Sequence, residues 1–262
     1  MEYFGLLLAI LIGVSIGLLG AGGSILTVPL LVYVFQVDPI VATSYSLFVV
    51  GFTSLFGVVP HLKKGNLNVK IAVIFGIPSL LGMILTRRYL LPAIPDSFDV
   101  FGWEIEKGSA VLFLLATLMI ISSLKMIQTK PQSAVIDEEE DQSKARLILI
   151  GVGFGIGVLS GLVGVGGGFL IIPALTLLAG VSMKKAMGTS LLIIACNGII
   201  GFFSKVDTES IHIYFLITIT LIATIGMILG YFLSTKFSNA KLKRFFGFFI
   251  MILAVWIFIM GG

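Results

Sequence analysis

Charged residues are scarce in this sequence. Asp, Glu, Lys and Arg make up 11% of the 262 residues and hydrophobic residues make up 58%, whereas soluble domains carry about 25% charged residues. This balance excludes an ordinary soluble domain, and the mean hydropathy of +1.14 indicates an all-α, multi-pass integral membrane protein in contact with the lipid bilayer. The net charge of +4 does not indicate a nucleic-acid partner, because the basic residues lie in short loops between apolar runs, as membrane topology requires.

Clusters of catalytic side chains are missing as well. Cys196 is the single cysteine, so no internal disulfide can form. His61 and His212 lie at segment ends, where we expect them to face water, and no acidic or basic residue lies in the middle of an apolar run. Proton pumps and membrane hydrolases need such groups. We therefore predict no catalytic residues, no metal, no cofactor and no enzymatic activity.

Apolar runs divide the chain into ten segments. Spanning a bilayer takes about 20 helical residues, so eight segments are read as full spans and two are too short. The first is read as a retained span, because Glu2 stands where a signal peptide has basic residues. We interpret the short segments, 24–36 and 168–180, as re-entrant hairpin pieces, with two short tilted spans as the alternative. The ten segments cover roughly residues 3–20, 24–36, 40–59, 69–86, 108–127, 146–163, 168–180, 184–203, 212–233 and 240–260.

The two short segments each follow a glycine-rich bend, and the bends are copies of one another. Residues 17–29 read GLLGAGGSILTVP and residues 161–173 read GLVGVGGGFLIIP, at an offset of 144 positions. The same offset aligns GMIL at 82–85 with GMIL at 226–229. This indicates an internal duplication, with a first membrane repeat at 1–127, an acidic cytoplasmic linker at 128–145 and a second membrane repeat at 146–262.

Basic residues set the orientation of the repeats. If each repeat holds five segments, thirteen of the 17 Lys and Arg residues fall on one side of the membrane, and Arg87, Arg88, Lys107 and Lys205 fall on the other. The positive-inside rule then predicts termini outside and the linker in the cytoplasm. An odd number of segments per repeat also inverts the two repeats relative to each other, an arrangement found in many secondary transporters.

The bends offer backbone groups to an anion. A helix that starts near Ser24 or Gly168 has N–H groups without intrahelical partners at the positive end of its dipole. Glycines leave those groups accessible, so we predict substrate binding at the bend residues. Glycines earlier in each first helix, Gly13 and Gly17 or Gly153, Gly157 and Gly161, have the spacing of tight helix packing. The predicted bend-site residues are Gly22, Gly23, Ser24, Thr27, Gly166, Gly167 and Gly168, with Pro29 and Pro173 as helix-breaking hinges that free a carbonyl.

A second group of polar residues opens the segment after each hairpin. Ser44 and Ser46 lie in the first copy, and Thr189 and Ser190 in the second, with Asn197 deeper in the same segment. Hydroxyls on membrane helices often bond only the carbonyl one turn back. Recurrence in both copies favours a site, so we count these five among the predicted substrate-binding residues.

These motifs resemble the sulfite exporter TauE/SafE family. The resemblance covers nearly the whole chain and rests on G-x-x-G-x-G-G-[SG]-x-[LI]-x-x-P in both halves, on AMGTSL at 186–191 and on KKGNLNVK at 63–70. It implies a permease for small sulfur-containing anions (sulfite, sulfoacetate, thiosulfate or organosulfonates) in the cytoplasmic membrane of a prokaryote.

The expected mechanism is alternating access between the inverted repeats. An inside-negative potential drives a monoanion outward by about 2.3 kcal/mol per 100 mV, which favours export. Two alternatives stay open: a passive anion channel, and a membrane-embedded sulfur-handling enzyme or maturation factor that uses Cys196. Assembly into a homo-oligomer also stays open, because small-residue faces serve internal and intermolecular packing alike.

Overall fold

Helices form nearly all of the described chain. The computed structural model describes residues 2–100, 103–128, 139–164, 167–204 and 212–260. A 3₁₀ helix, Gly20–Leu26, joins α1 to α2, and a π-helical turn, Thr86–Leu90, joins α4 to α5. The α-helices are α1 Glu2–Leu19, α2 Thr27–Tyr33, α3 Pro39–Lys63, α4 Val69–Leu85, α5 Leu91–Ala93, α6 Lys107–Gln128, α7 Glu139–Val163, α8 Gly168–Leu177, α9 Met183–Phe203, α10 Ile213–Ser234 and α11 Asn239–Met260.

Seven helical stretches in the described residues are long and apolar enough to cross a membrane. They are Pro39–Lys63, Val69–Ala93, Lys107–Leu124, Arg146–Val163, Met183–Phe203, Ile213–Ser234 and Ala240–Ile259. The remaining expected span corresponds to α1, in which Leu7–Leu19 forms a shorter apolar helix. The helical membrane class is thereby confirmed. The two segments expected to be short contain α2, with 7 residues, and α8, with 10.

A small β-hairpin interrupts the helices between α5 and α6. Strands β1, Ser97–Val100, and β2, Trp103–Glu106, pair antiparallel with Ser97 opposite Glu106. From sequence alone, the polar stretch between Tyr89 and Lys107, with its two prolines, predicts only a surface loop. The alternation of Phe98, Val100 and Trp103 with acidic residues is the short-range pattern that fits a two-stranded ribbon. Most of the expected linker, residues 129–138, lies outside the described part, and α7 already begins at Glu139.

Side-chain caps fix the starts of α3 and α4. The Asp38 carboxylate accepts hydrogen bonds from the N–H groups of Ile40 at 2.8 Å and Val41 at 3.1 Å, and Pro39 occupies the first position of α3. Asn68 caps α4 in the same way, accepting from the Ile71 N–H at 3.1 Å. Asp38 thus ends the connection between α2 and α3, and Asn68 ends the connection between α3 and α4.

Glycines bring two pairs of helices into backbone contact. A Cβ added at Gly13 of α1 would lie 1.9 Å from the Ala223 carbonyl oxygen of α10, and one at Gly17 would lie 2.0 Å from the Met227 oxygen. One added at Gly157 of α7 would lie 2.0 Å from the Ser79 oxygen of α4. The tight packing predicted for these glycines is confirmed. In both pairs residue numbers increase together along the contact, so the helices run parallel.

Other contacts fix the directions of the remaining helices. Helices α3 and α9 cross antiparallel at Gly51 and Gly198, and α6 and α11 are antiparallel, with Phe113 against Phe258 and Ser123 against Met251. Helices α3 and α10 run parallel, as do α4 and α9. The parallel contacts are Tyr45 with His212 and Pro60 with Tyr231 in the first pair, and Asn68 with Thr189 and Ser79 with Asn197 in the second.

The antiparallel pair α3 and α9 forms the centre of the molecule. Their apolar stretches are 67% and 72% buried, against 31–39% for the other five spanning stretches. Large apolar side chains such as Leu81, Leu221 and Ile252 point outward from the surrounding helices. An outer surface this apolar suits lipid, and it leaves the polar side chains of α3 and α9 in the protein interior.

Candidate functional site

The first bend is a 3₁₀ helix. The chain turns at Gly20, which has a φ of +69°, and Gly22 and Gly23 follow within Gly20–Leu26. We expected a helix to start near Ser24, but α2 begins at Thr27, whose N–H bonds the Ser24 carbonyl. The 3₁₀ helix therefore runs directly into α2 and uses backbone groups that an isolated helix N-terminus would leave open.

The second bend keeps an open helix start. Helix α8 begins at Gly168 as predicted, and its N-cap Gly167 has a left-handed φ of +71° with no side-chain cap. Gly166 lies outside the described residues. Ser160, at the end of α7, is buried beside this start, since a Cβ on Gly167 would lie 3.2 Å from its Oγ. That Oγ has no hydrogen-bond partner among the residues that the structure describes. Sequence reasoning missed Ser160, because its counterpart 144 residues earlier, Ile16, is apolar.

Each bend packs against the central helix of the opposite half. A Cβ on Gly20 would lie 2.9 Å from the Met187 Cβ of α9, and one on Gly164 would lie 2.0 Å from the Thr43 Cβ of α3. The 3₁₀ helix also packs directly on α8. Because α3 and α9 are antiparallel, Gly20 and Gly164 contact opposite ends of this pair, and the two bends come together where the 3₁₀ helix packs on α8.

Several predicted site hydroxyls are already engaged. Ser190 donates to the Met187 carbonyl at 2.9 Å, the bond one turn back that membrane helices commonly make. Thr189 accepts from the Asn68 N–H at 3.0 Å and so ties α9 to the start of α4. Ser24 is fully buried in the 3₁₀ helix. These three side chains help to hold the bends and central helices in position.

Other buried polar atoms have no partner among the described residues. Thr27 Oγ1 on α2 and Ser46 Oγ on α3 are fully buried without a hydrogen bond. Asn197 donates from Nδ2 to Ser79 Oγ at 2.8 Å, and its Oδ1 has no partner. Buried polar groups are normally paired. Thr27, Ser46 and Asn197 are therefore the predicted site residues with capacity left for a ligand.

Arg87 is a buried charge that the sequence reading assigned to an external loop. Its side chain is 1% exposed, because the π-helical turn carries it past the end of the apolar run on the protein-facing side of α4. Nη2 donates to Ser44 Oγ, and Nε and Nη1 have no partner in the part of the chain that the structure describes. The expected interior without fixed charge is thus wrong. The sequence contained a pattern that could have predicted this burial, because residues four apart lie on one face of a helix. The buried residues at this spacing are Phe75, Ser79, Met83 and Arg87.

His61 is also buried, which corrects the expectation that it faces water. It is 3% exposed, and within the described ranges neither ring nitrogen has a hydrogen-bond partner. Its ring packs edge-on with Tyr231 at a centroid distance of 5.0 Å. His212 is exposed as expected. Residues 54, 57 and 61 form one buried face of α3.

Cys196 lies in an apolar groove at the surface between α4 and α9. The groove has a volume of about 230 Å³ and is lined mainly by aliphatic side chains, among them Val73, Ile77 and Ile200. Nucleophilic cysteines are activated by a neighbouring base or cation, and the lining residues of this groove include neither. Within the described ranges, no three His, Cys, Asp or Glu side chains come together as metal ligands.

A bundle of long apolar helices around buried polar bends defines the class as a multi-pass helical membrane protein. The chain belongs to the sulfite exporter TauE/SafE family, whose model matches residues 5–257. That match, with the relatives described next, assigns it a membrane-transporter role and confirms the resemblance drawn from the motifs.

Similar proteins cover almost the whole chain. A protein of Xylella fastidiosa (strain 9a5c) named "Probable membrane transporter protein" is 30% identical over 250 residues, covering 94% of this chain and 91% of that protein. "Probable membrane transporter protein YjnA" of Bacillus subtilis (strain 168) is 30% identical over 249 residues, 91% and 92% of the two chains, and YdhB of the same strain is 29% identical over 91% of each. No solved structure is significantly similar.

Proposed function

We propose that this protein is a secondary transporter for small sulfur-containing anions such as sulfite, thiosulfate and organosulfonates, in the cytoplasmic membrane of a prokaryote. Membership in the sulfite exporter family supports the substrate class. The observation that carries the proposal is the direct packing of the 3₁₀ helix of the first bend on α8, the helix that begins at the second bend.

Alternating access between two inverted repeats is the proposed mechanism. At the offset of 144 residues, α1 corresponds to α7, α3 to α9 and α4 to α10. The parallel pair α1 and α10 is therefore equivalent to the parallel pair α7 and α4. Helix α1 runs parallel to α10 and α3, and helix α7 runs parallel to α4 and α9. Because α3 and α9 are antiparallel, α1 and α7, the two copies of the first helix, run in opposite directions. These directions support inversion of the repeats.

Helix directions also support both termini outside. Helix α6 starts beside α3, since a Cβ on Gly108 would lie 3.0 Å from Pro39, and α11 returns antiparallel to α6. The start of α1 and the end of α11 are then on the same side of the bundle. The excess of basic residues on the opposite side supports a cytoplasmic location for that side and for the linker.

The anion is proposed to bind where the bends meet. The N–H groups at the start of α8, with Gly166, Gly167 and Gly168, would face an oxyanion from the second repeat. Thr27 and Ser46 would donate hydroxyls from the first repeat. The second N–H of Asn197 Nδ2, whose other N–H bonds Ser79 Oγ, would complete the donors. Gly22 and Gly23 would let the first bend approach the anion closely, and Pro29 and Pro173 would act as hinges during the access change.

Export is the proposed direction. The inside-negative potential drives a monoanion outward by about 2.3 kcal/mol per 100 mV without any coupling ion. The guanidinium of Arg87 stays protonated at any physiological pH and therefore offers no proton relay.

The experiment is sulfite flux in proteoliposomes with an imposed membrane potential. We expect sulfite to accumulate on the positive side with a rate that saturates as sulfite concentration rises. Flux equal to that of protein-free liposomes would reject the substrate class. A rate that grows without saturation would reject a carrier in favour of a channel.

A further inference from the structure

Arg87 is a buried cation without a counter-charge in the described part of the chain. Its Nε and Nη1 account for three of the five guanidinium N–H groups, and none of these three meets an acceptor. The ion pair found among the described residues joins Lys107 to Asp96 at 3.8 Å and does not involve Arg87. An unpaired buried charge is strongly unfavourable, so this position calls for an anion.

The surroundings put this guanidinium beside the second bend. Ser44, which accepts the Nη2 hydrogen bond, directly follows Thr43, the residue that contacts Gly164. Thr86, which directly precedes Arg87, contacts Gly161, where an added Cβ would lie 2.8 Å from the Thr86 Cβ. Arg87 is therefore buried where the ends of α4 and α7 lie close to the start of α3.

The equivalent position in the second half carries no charge. Tyr231 lies 144 residues after Arg87, and its hydroxyl donates to the Pro60 carbonyl at 3.2 Å. Ser44 corresponds to Gly188, which packs against the Asn66 carbonyl oxygen. Of these two equivalent positions, the first repeat therefore carries the cation of Arg87 and the second carries the neutral phenol of Tyr231.

We propose that Arg87 and Ser44 form an anion-binding site beside the second bend, which holds one oxyanion of sulfur through Nε, Nη1 and the Ser44 hydroxyl. The inference rests on the proposed function and adds to it a specific charged residue on one side of the bends. Arginine suits this role because its planar fork matches an oxyanion with more than one hydrogen bond and remains charged when buried.

A competing account is purely structural. The last carbonyls of α7 form the negative end of that helix and could hold a cation without any ligand. The two accounts differ in what the purified protein does when an anion is added. A ligand site gives an anion-dependent stabilisation that needs Arg87, whereas a helix-end contact gives the same stabilisation with or without it.

The experiment measures the thermal unfolding of the purified full-length protein as sulfite or thiosulfate is titrated, with chloride at equal ionic strength as the reference. Arg87→Gln should raise the apparent Kd by about tenfold or more, the usual loss when a charge-assisted hydrogen bond is removed. Arg88→Gln is the matched control, because it removes the same charge from the adjacent exposed position and should leave the Kd unchanged. Ser44→Ala and Arg87→Lys should each raise the Kd by a smaller factor.

An unchanged Kd in Arg87→Gln, or an equal rise in Arg88→Gln, would overturn the proposal. If Arg87→Gln does not fold, an unchanged Kd in both Ser44→Ala and Arg87→Lys would overturn it instead, and so would the absence of any sulfite or thiosulfate shift in the wild-type protein. Sulfite flux in wild-type proteoliposomes keeps the two proposals apart. Saturable flux together with an Arg87-independent Kd would reject this site and leave the proposed function standing.

Discussion

Gly20 and Gly164 occupy equivalent positions in the two halves and share one unusual conformation. Their φ angles are +69° and +72°, a region that residues with a Cβ rarely adopt. Each also touches a backbone or Cβ atom of a central helix. Their glycine identity therefore has two separate causes, the left-handed turn and the close approach.

Gly164→Ala should destabilise the protein more than Gly65→Ala. Both positions have positive φ, which costs about 1–2 kcal/mol for a residue with a Cβ. Gly65 has open space around it, whereas a Cβ on Gly164 would lie 2.0 Å from the Thr43 Cβ, so overpacking adds about 1–3 kcal/mol. Thermal unfolding in detergent measures the difference. Equal losses in the two variants would mean that Gly164 does not pack on α3.

Cys196→Ser should leave transport unchanged. The thiol lies in an apolar surface groove whose lining holds no base or cation to activate it. Sulfite flux of the variant in proteoliposomes is the measurement, with the wild-type protein as reference. Loss of flux in a variant that unfolds at the wild-type temperature would instead support a reactive role for Cys196.

The residues found from the sequence are those that carry a visible pattern. The paired bends point to Gly23 and Gly167, because the duplication places a glycine at both positions. The burial of Arg87 was not predicted, because the apolar run ends at Thr86 while the helix continues through a π-helical turn. The burial of His61 was not predicted, because it depends on packing against Tyr231. The two residues are 170 positions apart, so no local sequence pattern indicates this contact.

At the scale of elements, tight helix packing depends on glycines that face a partner backbone. On α7 these are Gly153, Gly157 and Gly161, which touch α4. Gly151 and Gly155 of the same helix have open space around them. The same helix thus has glycines that contact a partner helix and glycines that do not. The position of a glycine on the helix, and not glycine content alone, decides whether it allows close packing.

Gly157→Val should destabilise the protein by more than about 3 kcal/mol, because its Cβ would lie 2.0 Å from the Ser79 carbonyl oxygen and force α4 and α7 apart. Gly155→Val, two residues away on the open side, should change stability by less than about 1 kcal/mol. Thermal unfolding of the two variants in the same detergent gives the comparison. A similar loss in both would show that helix propensity, not packing, governs this position.

Element positions were largely predictable, since apolar runs long enough to span a bilayer leave few alternatives. The expected 184–203 segment became Met183–Phe203, and 212–233 became Ile213–Ser234. The first hairpin was less predictable. Three glycines in seven residues fit either a loop or a 3₁₀ helix. The predicted start of α2 near Ser24 therefore differs from the observed start at Thr27.

At the scale of the whole molecule, the proposed topology has both termini and the β-hairpin outside, with the linker in the cytoplasm. Cys196→Ser supplies a cysteine-free background for labelling. In intact cells a membrane-impermeant maleimide should label Ser97→Cys, in exposed strand β1, without permeabilisation. Ser133→Cys, within the linker sequence, should be labelled only after permeabilisation. The reverse pattern would invert the proposed orientation and, with it, the side on which Arg87 lies.

The most direct test of the central claim, that two bends from opposite repeats form one transport site, is sulfite counterflow. Proteoliposomes preloaded with unlabelled sulfite should transiently accumulate labelled sulfite when they contain the wild-type protein. Gly23→Val and Gly167→Val should each abolish this accumulation, because a side chain at either bend blocks the approach of the anion, whereas Gly155→Val should retain it. Counterflow that persists in both bend variants would contradict the account.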